Sequence, residues 1–172
     1  GGIPLSVAAV ASPTGARLAG KHGIGLLSIG ATLIVEGFDA LAYHWGIAEE
    51  RAAAFGTTVD RKNWSLVCPM HIAETEEQAR ADVRFGIEPW FRYFQKVAAF
   101  PQMTMPGDQI DEMIGIINDA GAGVIGTPEQ AREQVQRLWD QSGGFGCMLQ
   151  MGHEWANPAV TRRSAELFAA EV

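Results

Sequence analysis

The sequence predicts an α/β fold built on a parallel sheet, and three observations carry that reading. Four apolar runs of strand length, at residues 5–11, 25–29, 64–72 and 146–151, are separated by longer segments with helical spacing of apolar residues. The runs are close to continuously apolar instead of alternating, as strands buried on both faces are. Helix start and stop signals fall between them in the order that strand–helix repeats require. Right-handed crossovers of this kind fit either a small doubly wound domain or half of an eight-stranded barrel, and periodicity does not choose between them.

The elements follow in order. Residues 5–11 (LSVAAVA) form the first strand, Ser12 reads as a helix N-cap, Pro13 as the first helical residue, and Gly23 as a left-handed stop after Lys21 and His22. Residues 25–29 (GLLSI) are the second strand. A helix is expected over residues 38–55, where Leu41, Trp45, Ala48, Ala52 and Phe55 recur at helical spacing, and Gly56 closes it. Residues 64–72 (WSLVCPMHI) are the third strand, with Pro69 marking an irregular end or a bulge. Thr75 and Gln78 make a capping box, opening a long helix expected to reach about Phe100 despite Gly86 and Pro89. Residues 101–126 interrupt the rhythm with at most one short helix. Thr127 and Gln130 form a second capping box ahead of an Ala131, Val135, Leu138 stripe, which ends at Ser142-Gly143-Gly144. Residues 146–151 are the fourth strand, and Asn157-Pro158 starts the last helix.

Composition narrows the function classes. A chain of 172 residues with 47% hydrophobic and 19% charged residues suits one globular domain with a sizeable core. No apolar run approaches the ~18 residues of a membrane-spanning helix. The net charge is −7 and Lys and Arg are nowhere clustered, which argues against nucleic acid and leaves any anionic ligand to local groups. Cys68 and Cys147 lie inside apolar runs, the pattern of two reduced, buried thiols in a cytoplasmic protein. The opening Gly-Gly-Ile-Pro stands almost directly on a strand, and the expectation is that N-terminal sequence is missing.

The turn Ser12, Pro13, Thr14, Gly15 sits where a strand's C-terminal end meets a helix N-terminus, the ligand-binding end in both candidate architectures. Unpaired amides and the helix dipole make such a turn an anion site, the two hydroxyls add donors, and Gly15 leaves room for a phosphate at the backbone. Plain helix capping is the commoner use of a Ser-Pro turn. His71 and His153 lie at or just beyond strand ends, where catalytic groups gather in barrels, although structural roles are commoner for such histidines. Neither His-x-x-x-His nor Cys-x-x-Cys occurs, so no metal site is expected. Trp45 and Trp139 fall in helical stripes and read as core, while Trp155 follows the fourth strand and is the tryptophan to expect beside a ligand.

Three stretches together resemble the C-terminal half of the bacterial luciferase-like, flavin-dependent monooxygenases. "VASPTGARLAGKHGIGLLS" is similar to that family's fifth strand, phosphate turn, helix and sixth strand. "VIGTPEQAREQVQRL" resembles its Gly-Thr-Pro-Glu entry to a late helix, and "GGFGCMLQMGHEWA" its eighth strand and following loop. The resemblance implies a (β/α)8 TIM-barrel type fold, with this chain holding roughly strands five to eight and the N-terminal half lying outside it. It implies that reduced FMN, supplied by a separate flavin reductase, sits at the C-terminal face and with O2 oxidises a small organic substrate. The phosphate would be held by the amides around Ser12, Pro13, Thr14 and Gly15, the hydroxyls of Ser12 and Thr14, and Ser28 at the end of the second strand. His71, His153 and Trp155 would line the substrate side. The alternatives are an oxidoreductase of the same fold using the deazaflavin F420, or a flavin-binding relative without turnover. A half-barrel is further expected to leave its first and fourth strand edges open, to be inactive alone, and to work in a homo-oligomer.

Overall fold

A computed structural model describes residues 3–33, 35–96 and 109–172. The elements are β1 (Ser6–Ala9), α1 (Thr14–His22), β2 (Gly25–Ser28), α2 (Gly30–Leu33), α3 (Val35–Asp39), α4 (Leu41–Phe55), a 3-10 turn (Arg61–Asn63), β3 (Trp64–Cys68), β4 (Met70–Ile72), α5 (Glu76–Val83), α6 (Ile87–Lys96), α7 (Ile110–Asp119), β5 (Val124–Gly126), α8 (Pro128–Ser142), β6 (Cys147–Gln150) and α9 (Pro158–Glu171). Among the described residues every strand pairing is parallel, as the strand–helix alternation predicts. Among the described residues no helix is long and apolar enough to cross a membrane. The chain sorts into two compact units and passes between them three times, after Cys68, within α8 and after Gln150.

The first unit comprises the chain up to Cys68 together with Val135–Gln150. Its sheet runs β1-β2-β3-β6, so β1 and β6 are the edges. The register places Ala9, Ser28 and Leu66 in one row and Leu26 with Trp64 in another, all on one face of the sheet. These five side chains are buried, and Trp64 stacks on Trp45 of α4 with ring centroids 4.9 Å apart. Ala8, Cys147 and Leu149 fall on the opposite face and are exposed. Helix α1 ends at Gly23 with φ 62°, a left-handed conformation that an L side chain adopts at a steric cost. Helices α1 and α4 cross where Gly20 meets the Ala48 carbonyl oxygen, too close for any side chain. Arg61 lies over the rings of Trp45 and Trp64 and donates to the Ser142 carbonyl (3.0 Å) and to the Gly144 carbonyl. It thereby satisfies acceptors that the end of α8 leaves open.

The second unit comprises Pro69–Gln134 and Met151–Val172. Strands β4 and β5 pair in register Met70↔Val124 to Ile72↔Gly126. Val83 of α5, Ile87 and Phe91 of α6, Met113, Ile114 and Ile117 of α7, Ile125 and Trp155 make its core.

Several expectations are corrected. The third strand divides at Pro69, which has no N–H for a ladder bond, and the pairing partner changes there from β6 to β5. Strand β5 is additional to the four expected. Three residues after a Gly-rich stretch show no period, and the strand is held by Asn118, whose side chain donates to the Ile125 carbonyl (2.9 Å) and accepts from its N–H (2.8 Å). The helix opened by Thr75 stops at Val83 and α6 starts at Ile87. Gly86 is the reason: its N–H donates to the Trp155 carbonyl (2.8 Å), and its bare α-carbon lies against the Glu154 carbonyl where a side chain has no room. Pro89 falls in the first turn of α6, where a missing N–H breaks no helical bond. The expected extension from residue 97 to Phe100 lies outside the described residues. Trp139 is 50% exposed instead of core, and Cys147 is exposed on an edge strand instead of buried.

Candidate functional site

The site begins where β1 ends. The Ala9 carbonyl accepts the Ile29 N–H (3.0 Å), and the next main-chain bond along the chain is the Pro13 carbonyl accepting from Arg17 (2.9 Å). The amides of Thr14, Gly15 and Ala16 therefore have no carbonyl behind them within the helix. No acidic residue occupies the first turn of α1, while Lys21 and His22 occupy its last. The empty first turn leaves the positive end of the dipole unopposed, while Lys21 and His22 complement the negative end, and the turn can receive an anion.

Ser12 does not cap the helix. Pro13 takes the cap position with φ −75° and ψ 5°, and helical geometry starts one residue later, at Thr14. The Ser12 hydroxyl instead donates to Thr14 Oγ1 (3.3 Å) on an exposed surface, which keeps two hydroxyls side by side at the helix entrance. Gly15 is buried, and its missing side chain serves packing: a Cβ there would strike the Ala8 carbonyl oxygen and the Ala9 Cβ of β1. The glycine brings α1 onto its strand; it is not a vacant space for a ligand. Ser28 is 2% exposed, and its Oγ accepts the Trp64 indole N–H at 3.0 Å. As an acceptor it is engaged, and its own proton remains to be donated.

His71 and His153 lie in the second unit. His71 is buried on β4, with Nε2 3.2 Å from Asp82 Oδ2 of α5 and Nδ1 buried without a partner. Asp82 Oδ1 accepts from Gln78, so the carboxylate is held on both oxygens. The His153 Nε2–H donates to the Met70 carbonyl (2.9 Å), and its ring stacks on Trp155 at 4.0 Å. Burial holds both imidazoles below their ordinary pKa, against the Asp82 bond for His71 and the Met70 bond for His153. His71 ties β4 to α5, and His153 ties the segment ahead of α9 to β4. Trp155 is fully buried, edge-on to Trp90 at 5.2 Å, and its indole nitrogen has no partner. The structure brings His71, His153 and Trp155 together, with His71 and His153 centroids 6.2 Å apart; His71 and Trp155 are fully buried, and His153 is partly exposed.

Two residues of consequence escape sequence reasoning. Trp64 fixes Ser28, and His44 of α4 reaches back to the Ala11 carbonyl at 3.1 Å. The signal for His44 was available: it stands one position before Trp45 in the buried stripe of its helix, a polar ring where an apolar one is expected.

The chain is 49% identical over 170 residues to limonene 1,2-monooxygenase from Rhodococcus erythropolis, an alignment covering 99% of this chain and 43% of that protein. Among solved structures it resembles the oxygenating constituent of 3,6-diketocamphane monooxygenase from Pseudomonas putida in complex with FMN (TM-score 0.65, 24% identity, 99% of this chain and 47% of that one). It also resembles an F420-dependent secondary alcohol dehydrogenase in complex with an F420–acetone adduct (TM-score 0.59, 14% identity, 100% and 48%). These likenesses show the fold, α/β of the (β/α)8-barrel type, and the chain spans about half the length of the relatives it matches. The sequence model of the luciferase-like monooxygenases matches residues 1–145, and the chain belongs to that family.

Proposed function

We propose that residues 12–15 bind the phosphate of reduced FMN, in a monooxygenase that uses O2 to oxidise a small organic substrate and draws its reduced flavin from a separate reductase. The observation that carries this reading is the start of α1: unpaired amides at Thr14, Gly15 and Ala16, two exposed hydroxyls, and no carboxylate in the first turn. The FMN bound to the Pseudomonas putida relative supports the choice of cofactor. When bound, the reduced flavin supplies the oxygen chemistry. The work of this chain is to hold and orient it. The amides and the helix dipole offset the phosphate charge, the Ser12 and Thr14 hydroxyls donate to its oxygens, and the sheet fixes the helix that presents them. The other half of the barrel, outside this chain, would complete the flavin-ring and substrate contacts.

Thr14→Asp tests the reading. A carboxylate in the first turn favours the helix but repels a phosphate dianion. In the holoprotein we expect FMN affinity to fall by about tenfold or more, with riboflavin affinity and the thermal midpoint held. Unchanged FMN binding in that variant refutes the site. Anaerobic titration with FMN and with F420, followed by oxygen uptake in the presence of a reductase, separates the monooxygenase from a deazaflavin enzyme of the same fold.

A further inference from the structure

We propose that His44 is a positioning residue for the phosphate turn, holding through its ring N–H the segment that leads from β1 into residues 12–15. The inference rests on the phosphate reading above. His44 stands in the first turn of α4, is 1% exposed, and places Nε2 3.1 Å from the carbonyl oxygen of Ala11, 33 residues earlier. A carbonyl oxygen only accepts, so the proton is on Nε2 and the tautomer is fixed. Nδ1 is then a bare lone pair, buried and without a partner. An apolar side chain would fill the same space without that unsatisfied nitrogen, so packing alone does not account for the residue.

The place it grips is specific. The β1 ladder ends at the Ala9 carbonyl and the helix begins with the Pro13 carbonyl, and between them the chain bends. Among the described residues the His44 bond is the one hydrogen bond to the main chain of residues 10–12. The gripping helix is itself fixed relative to α1, because Gly20 lets the two backbones touch at Ala48. Through His44, α4 sets the height and direction of the Ser12 and Thr14 hydroxyls at the helix entrance. A phosphate would feel that placement, whereas the uncharged ring system of a flavin would not.

The test compares FMN with riboflavin, which lacks the phosphate, by fluorescence quenching of the holoprotein. His44→Leu removes the donor at similar volume, and His44→Gln retains an N–H of comparable reach. The leucine variant is expected to weaken FMN binding roughly fivefold to tenfold, the worth of one hydrogen bond, and to leave riboflavin within about twofold. The glutamine variant is expected to recover most of the FMN affinity. Equal losses for both ligands, or no loss for either, overturn the assignment while leaving the phosphate reading intact. A wild-type protein that binds FMN no better than riboflavin overturns both. Should the leucine variant fail to fold, imidazole nitrogen NMR of the wild type decides: the His44 Nε2–H resonance is expected to shift with FMN but not with riboflavin, and identical responses refute the role.

Discussion

Gly86 offers the sharpest test of the packing logic. It joins α5 to α6 through a turn, donates its N–H to the Trp155 carbonyl at 2.8 Å, and presents its α-carbon to the Glu154 backbone. A Cβ built there overlaps the Glu154 carbonyl oxygen and lies 3.0 Å from the carbonyl carbon. Both neighbours are main chain, so rotamer change relieves nothing. The segment at residues 154–155 must retreat by about 1.6 Å to reach ordinary van der Waals separation. That retreat carries the 2.8 Å bond beyond hydrogen-bonding distance and lifts Trp155, fully buried against Trp90, from its seat. Overpacking of this kind costs about 1–3 kcal/mol and a broken buried bond about 1 kcal/mol more, so Gly86→Ala is expected to destabilise by about 2–4 kcal/mol. At about 2–4 °C per kcal/mol for a chain of this size, the thermal midpoint falls by about 5–15 °C. The control is Gly46→Ala in the exposed middle of α4, where a Cβ meets nothing within 4 Å. There the same chemical change is expected to stabilise by about 0.5–1 kcal/mol. Thermal unfolding followed by tryptophan fluorescence and far-UV circular dichroism reads both variants side by side. Midpoints that move in the same direction, or a Gly86→Ala midpoint within about 2 °C of wild type, refute the reasoning.

Two further outcomes are expected. Ser28→Ala strands the buried Trp64 N–H and is expected to lower stability by about 1–3 kcal/mol in urea titration; adding Trp64→Phe removes the stranded donor, so the double variant loses less than the sum of the singles, and strict additivity would show that the 3.0 Å bond carries no coupling. Acidification is expected to destabilise the chain: burial holds His44, His71 and His153 below the ordinary 6.5, so the unfolded chain binds more protons than the folded one as pH drops below that value. Stability is then complete above about pH 6.5 and falls toward the depressed folded-state values, by at most about 1.4 kcal/mol per pH unit for each ring. His71→Gln flattens this slope in a series of thermal midpoints across pH, and a midpoint that rises on acidification contradicts the sign.

What the sequence made legible was set by how local each cause is. The stops at Gly23 and Gly56, the capping bonds at Thr75 and Thr127, and the Asn157 cap all follow from residues within a few positions of one another, and all stand where expected. Strand β5 was hidden because three residues are too few to show a period. The break at Gly86 was hidden because its cause, the backbone at Glu154, lies 68 positions further along. Trp139 satisfied the apolar spacing of its helix yet lies half exposed beside Phe145, their centroids 5.6 Å apart: helical period marks a stripe without saying what will cover it.

The candidate site divides the same way. That a helix opens at the end of β1, with its amides free and its first turn without acid, is a local property, and it was readable from Ser12, Pro13, Thr14 and Gly15 alone. What each of those residues does was not. Gly15 answers to β1, Ser28 to Trp64, and the Ala11 carbonyl to His44, and every one of these partners is chosen by the register of the sheet and the crossing of α1 with α4. The consequence is physical: the two hydroxyls that would touch a phosphate sit on the surface, while the groups that fix their position are buried and distributed over the first unit. Substitutions at His44 or Trp64, outside the turn, should therefore alter anion affinity as well, though less than a carboxylate placed in the turn itself, because they move the frame on which the turn is hung.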